Sequence, residues 1–310
     1  MNKKLLINEL PPPQKRYGLS LSTKQNWIPP ETFEYHQCVK IELPPGIHLY
    51  KNLETLPDHI KKAITKIKNN THALDNIHNE MLQKEKAELL VIEIPSHYKS
   101  DTPITIHTQL KGRPHIQHIF FHVGKNTHIN IIEIQEGTSP FHSHAVELQA
   151  EENSQVNHTT LQNTSSTTVQ TTKKHAHIQK NATITWNDIQ IGSAHTRTRI
   201  ESELKGTKAE STIKNIFFGD NTQEFDIKTT SKHYSPQTKS SILSKGALNN
   251  NAKAINRGYT EIAKAMTQCK GYQEEHALLL SDTAEISTVP NLQIQNNEVQ
   301  CSHGATIASL

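Results

Sequence analysis

From Leu90 onward the apolar residues of this chain recur at every second position, and they do so almost to its end. Alternation of that kind sends successive side chains to opposite faces of a strand. Leu90-Val91-Ile92-Glu93-Ile94-Pro95 opens the pattern, and Ile104, Ile106, Thr108 and Leu110 share one strand face. Further strands are predicted over residues 129–134, 184–191, 197–204, 213–218, 225–229, 255–262, 292–294 and 299–301, with almost no helical interruption. Chains of many short strands close into a sandwich or wind into a solenoid.

Composition separates these two. Apolar residues make up only 34% of the chain and aromatics 5%, below the apolar share of ordinary globular domains. A large spherical core is therefore not expected, whereas each coil of a solenoid needs few inward residues and borrows cover from its neighbours. Gly192, Gly206 and Gly219 fall at the even pacing that stacked coils require. Gly206 and Gly258 are expected at turns that demand positive φ. The fold class read from this is mainly β, a right-handed parallel β-helix with a short helical segment before it.

The N-terminal part reads differently. Residues 1–35 carry Pro11-Pro12-Pro13 and Pro29-Pro30, which remove backbone donors and favour an extended arm. Residues 36–87 form a helical segment in this reading. Leu56, Ile60, Ile64 and Ile67 fall on one helix face, with a start at Thr55, Pro57 and Asp58 and a stop at Asn69-Asn70. A second helical piece is expected around Leu74, Ile77 and Met81, and the β-helix domain fills 88–310.

Thirty-three basic against thirty acidic side chains leave a formal charge of +3, too balanced to point to nucleic acid. Twenty histidines are the unusual component, and most are expected in solvent. No apolar run exceeds four residues and no secretory signal is read at Met1–Asn8, so the chain is expected in the cytoplasm and off the membrane. The three cysteines Cys38, Cys269 and Cys301 show no CxxC spacing and imply neither a disulfide framework nor a closed zinc site. GxxxxGK[ST] and GxSxG are both absent, which removes a phosphate loop and a nucleophile elbow. Trp27 and Trp186 form no aromatic ladder for nucleic acid or sugar.

Two places carry chemistry. Cys301 and His303 lie two apart in a strand, so thiol and imidazole leave the same face about 7 Å apart and can share a soft metal or a sulfur species. The plain alternative makes Cys301 a small buried apolar residue and His303 the cap of a strand end. His142-Ser143-His144 with Glu147 approaches the way cupin-type barrels hold a catalytic metal, and a metal-dependent enzyme on His142, His144 and Glu147 is the first rival function. His175-Ala176-His177 is a second His-x-His, expected by chance in a histidine-rich chain. A solenoid carbohydrate enzyme or adhesin is a second rival, weakened by the missing sugar platform.

Several segments in fixed order add to this: Gly192-x-x-x-x-Arg197, Leu204-Lys205-Gly206, Asn256-Arg257-Gly258, Leu278-Leu279-Leu280-Ser281-Asp282, and Cys301-Ser302-His303-Gly304-Ala305-Thr306. Together they resemble the SufB/SufD family, scaffold proteins of iron-sulfur cluster assembly. The likeness is clearest over 156–306 and weaker over 89–134. In SufD-type members the last run stands where SufB-type members carry Glu-His-Glu-Ala, and its histidine, here His303 with Cys301 beside it, takes part in cluster assembly at the subunit interface. The essential cysteine of SufB-type members falls at Glu275, and Cys269, six residues upstream, does not match that place. The chain is thus SufD-like.

The resemblance implies a non-catalytic scaffold subunit that pairs with a SufB-type subunit, or with a second copy of itself, and works with a SufC-type ABC ATPase. It implies a transient iron-sulfur cluster at the subunit interface, with His303 as a transient metal ligand and no tightly bound cofactor. The helical tail that in the family follows Gly-Ala-Thr and holds much of the ATPase contact has no counterpart before Leu310, so the expectation is either that the ATPase docks differently or that this product is truncated and cannot dock normally, with the last coil lacking a cap.

Overall fold

A computed structural model describes residues 39–51, 53–68 and 88–310. The expected arm, the second helical piece and Cys38 fall outside these residues. The described chain begins with two short strands, β1 (Val39–Glu42) and β2 (His48–Tyr50), and a helix, α1 (Asp58–Lys68). The solenoid follows as β3 (Glu88–Ile94), β4 (Ile104–Lys111), β5 (His115–Val123), β6 (His128–Thr138), β7 (Phe141–Ala150) and β8 (Gln155–Thr164). It continues through β9 (Val169–Ile178), β10 (Thr183–Gln190), β11 (His195–Leu204), β12 (Glu210–Gly219) and β13 (Glu224–His233). The last coils are β14 (Lys239–Leu248), β15 (Lys253–Ile262), β16 (Cys269–Leu279), β17 (Glu285–Ile294) and β18 (Val299–Ser309). The segment 36–87 therefore holds strands as well as a helix.

The strands form a parallel β-solenoid of about eight turns, as its sequence pattern leads one to expect. Even-numbered strands from β4 to β18 build one nine-stranded sheet with β1 at its edge; odd-numbered strands from β3 to β17 build the other with β2 at its edge. Only β1 on β4 and β2 on β3 are antiparallel. Thr183 of β10 lies beside Gln155 of β8 and Glu210 of β12, and that spacing is the length of one coil. Stacking in register repeats each inward side chain above its counterpart.

Helix α1 covers the outer face of the odd-strand sheet at its first coils. Leu56, Ile60 and Ile64 are buried against Val91 of β3 and Phe120 of β5, the face that the helical spacing marks as apolar. The Lys61 amide donates to the Pro57 carbonyl at 3.0 Å, so the helix begins where the proline and Asp58 place it.

Several corners rest on asparagine rather than glycine. Asn126, Asn153 and Asn181 hold φ of 56°, 59° and 56°, a region asparagine tolerates. Their side chains form a ladder, Asn181 donating to Asn153 and Asn153 to Asn126, each at 3.0 Å. Gly206 and Gly258 do not sit at positive φ; the positive-φ glycines among the described residues are Gly46, Gly112 and Gly137. Gly206 is instead a close approach, since a Cβ there would lie 1.9 Å from the Lys180 amide nitrogen. Gly258 lies inside β15, with no room for a side chain toward the lumen.

The lumen is half apolar and half hydrogen-bonded. Ile104, Ile131, Ile184, Trp186 and Ile213 belong to one continuous buried cluster, and Trp186 Nε1 donates to Ser202 Oγ at 3.1 Å. Beside it Lys174 Nζ reaches Asp188 Oδ2 at 2.6 Å and Thr160 Oγ1 at 2.5 Å with no exposure of the lysine. Gln170 donates to Gln135 at 2.6 Å, and Gln190 to Asn215 at 2.7 Å. These pairings satisfy groups that would otherwise be costly to bury. Eight histidines, His115, His118, His142, His144, His158, His175, His177 and His233, are buried.

Candidate functional site

Strand β18 closes the even-strand sheet. Its burial alternates at the start, with Val299 and Cys301 half-buried and Gln300 and Ser302 exposed. That phase matches the inward set of β16, where Cys269, Gly271, Gln273 and Glu275 are buried. Cys301 and His303 thus share the inward face of the last strand, the arrangement that their spacing predicts, and His303 is exposed.

Register places Cys301 beside Gly271 and His303 beside Gln273. A Cβ at Gly271 would lie 3.2 Å from Cys301 Sγ, so the glycine leaves the sulfur its place. Burial raises the Cys301 thiol, the Gly271 backbone N–H offsets part of this, and the neighbouring Cys269 adds to the rise. The thiol is therefore protonated at neutral pH and becomes a metal or sulfur ligand by giving up a proton.

Behind this pair lies a buried polar layer. Gln273 Nε2 donates to Thr260 Oγ1 at 2.6 Å and to the Asn291 carbonyl at 3.0 Å. Glu275 faces Gly258 across the lumen: a Cβ on that glycine would come within 2.7 Å of both Gln273 Oε1 and Glu275 Oε1. Burial pushes the Glu275 carboxyl up to about 7, against relief from the Gly258 backbone and the Asn256 amide. A carboxyl tuned to that range exchanges a proton near physiological pH. Cys269 is fully buried, its Sγ 3.2 Å from Thr238 Oγ1.

The residues of the cupin-type reading are separated. His144 points into the lumen, its Nε2 2.8 Å from Glu133 Oε2 of β6, and His142 shares its strand face with a ring-centroid distance of 6.0 Å. Glu147 stands three residues beyond His144, on the opposite face of β7, with His118 Nε2 3.5 Å away. Glu147 therefore cannot join His142 and His144 around one ion, and the carboxylate between histidines is Glu133, which also lies 2.6 Å from His158 Nε2. Burial alone would raise the Glu133 carboxyl, but the imidazoles of His144 and His158 outweigh it and hold the acid well below its usual range. Burial pushes His142 well below its ordinary value, with His115 and His144 adding to the effect, so that ring stays neutral.

Sequence reading missed Glu133 and His158. Glu133 is 11 residues from His144 and 25 from His158, on neighbouring strands, and the signal is visible only when the coils are laid in register.

A family model described as SUF system FeS cluster assembly, SufBD core domain, matches residues 105–310. Proteins named iron-sulfur cluster assembly SufBD family protein from Staphylococcus epidermidis (strain ATCC 12228) and Staphylococcus aureus (strain MRSA252) are each 24% identical to this chain over 225 residues. In both cases the match takes in 71% of this chain and 48% of the relative, so the chain spans about half the length of the curated relatives it matches. No helix among the described residues is long and apolar enough to cross a membrane. With stacked parallel coils over the whole matched region, the chain belongs to the SufBD family of iron-sulfur cluster assembly proteins.

Proposed function

We propose that this chain is a SufD-like scaffold subunit of a SUF assembly complex. It pairs with a SufB-type subunit, works with a SufC-type ABC ATPase in the cytoplasm, and catalyses no reaction itself. The iron-sulfur cluster is its cargo, held transiently where the two subunits meet, with His303 as ligand or proton-handling group and Cys301 beside it. The observation that carries this reading is the joint placement of Cys301 and His303 on the inward face of the last strand, with the imidazole open to a second protein.

Glu275 supports the SufD-type assignment. A carboxyl occupies the place of the sulfur-accepting thiol of SufB-type members, and a carboxylate does not accept a sulfane sulfur. The partner must bring that thiol, which makes a heterodimer the functional unit. Affinity purification of the tagged chain from its native cell tests the reading. Recovery of a SufB-like protein and an ABC ATPase in fixed stoichiometry supports it, and recovery of the chain as a homodimer alone overturns the heterodimer.

A further inference from the structure

His175 and His177 of β9 project from the outer face of the odd-strand sheet. The residues between and before them, Ala176 and Lys174, face the lumen, where Lys174 meets Asp188. Register sets Glu201 beside His175 and Glu203 beside His177 one coil later. His177 Nε2 lies 3.0 Å from Glu203 Oε2, and His175 Nε2 3.7 Å from Glu203 Oε1. One ligand atom from each of the three residues falls within 4.8 Å of the others, and all three residues are buried.

Neither Nδ1 has a hydrogen-bond partner. Burying two imidazoles with orphaned nitrogens around one carboxylate is unfavourable without a further ligand. An ion bound at about 2.0–2.2 Å to nitrogen and oxygen draws its ligand atoms to roughly 3–3.5 Å of one another. The two nitrogen-to-carboxylate distances already bracket that range, and the perpendicular rings, with centroids 4.8 Å apart, converge on the carboxylate from two sides. Glu201 Oε1 lies 3.9 Å from His175 Nε2 but accepts from Lys232 Nζ at 2.7 Å, so it is not counted among the donors.

We propose that His175, His177 and Glu203 form a binding site for a divalent first-row transition-metal ion of the Zn(II) or Fe(II) class, joining two adjacent coils. Two imidazoles and one carboxylate are the donor set such ions take, with a coordination position left open. The site is distinct from the Cys301–His303 pair, which lies on the other sheet and on its inward face. Lys205 Nζ, 2.8 Å from Glu203 Oε2, balances the carboxylate without an ion and is partly exposed, so it can swing aside.

The test uses the full chain, stripped with a chelator and titrated with Co(II), whose visible ligand-field bands report on the donors. One equivalent binds, without the sulfur charge-transfer band that a cysteine ligand adds, and Zn(II) displaces it. The Cys301→Ser variant retains this signal. Glu203→Gln, which keeps the side-chain shape, weakens binding at least about 100-fold, since loss of an outer-shell partner alone brings about 10–100-fold. The double variant His175→Gln/His177→Gln abolishes the signal while circular dichroism stays that of a β protein. A wild-type chain that takes up no Co(II), or a folded Glu203→Gln variant that binds like wild type, overturns the proposal; the second outcome decides even if the double variant fails to fold.

Discussion

Cys301 Sγ occupies the space that a side chain on Gly271 would fill, 3.2 Å from where its Cβ would stand. Replacing Gly271 with alanine also brings that Cβ to 3.0 Å from Thr260 Cγ2. Overpacking of this kind costs about 1–3 kcal/mol. Gly271→Ala is therefore expected to lower the denaturant midpoint and to displace the sulfur outward, speeding its reaction with a thiol reagent. Unchanged stability together with unchanged thiol reactivity would contradict the placement of Cys301.

Glu275 makes stability depend on pH in a definite direction. Its carboxyl is raised from the ordinary 4.5 to about 7, so between those values the folded chain holds a proton that the unfolded chain has released. The stabilisation is complete below about 4.5 and is lost as pH rises to about 7. Burial lowers the His233 imidazole to about 4 from 6.5 and gives the opposite slope, with stability lost as pH falls through that window. Comparing the wild type with Glu275→Gln isolates the carboxyl. The variant gains on the wild type by up to about 3 kcal/mol between acid and mildly alkaline pH; parallel stability curves would exclude a raised Glu275.

Lys174 and Asp188 form a buried ion pair at 2.6 Å in the lumen. Removing one partner leaves a charge without compensation, at about 3–5 kcal/mol, whereas replacing both with apolar residues of similar volume is far milder. Asp188→Ala should thus destabilise much more than Lys174→Met/Asp188→Leu in chemical denaturation. Equal losses would show that the pair is solvated.

Asn153 sits at φ 59° in the corner ladder, bonded to Asn126 and Asn181. Alanine there meets left-handed strain and loses the ladder; glycine loses only the ladder. Asn153→Ala is expected to cost about 1–3 kcal/mol and Asn153→Gly less. Thermal melts of the two variants check the order, and a reversal would contradict the strain.

How much of this was legible in the sequence follows from what each coil buries. Strands such as β10 and β13 present Ile184, Trp186, Phe225 and Ile227, and their alternation is plain. Strands β8, β9 and β14 turn Gln162, Thr172, Lys174, Ser240 and Ser244 inward. Their core is a set of cross-lumen hydrogen bonds that no apolar period can reveal. Gly206 and Gly258 lack the positive φ that the sequence suggests, because a glycine can answer to close approach as well as to positive φ. Cys301 and His303 share a strand, so a spacing of two placed them on one face; Gln273 and Glu275 join them only through the register of β16 with β18.

The central claim is that His303, exposed on the last strand, meets iron and sulfide where a second subunit completes the pocket. Anaerobic reconstitution of the complete complex with His303→Ala, followed by visible absorption of the cluster, tests it most directly. The account predicts a variant chain that melts within about 1 °C of wild type, as expected for an exposed side chain, and a complex that forms little or no cluster. Cluster formation at the wild-type rate and yield would contradict it.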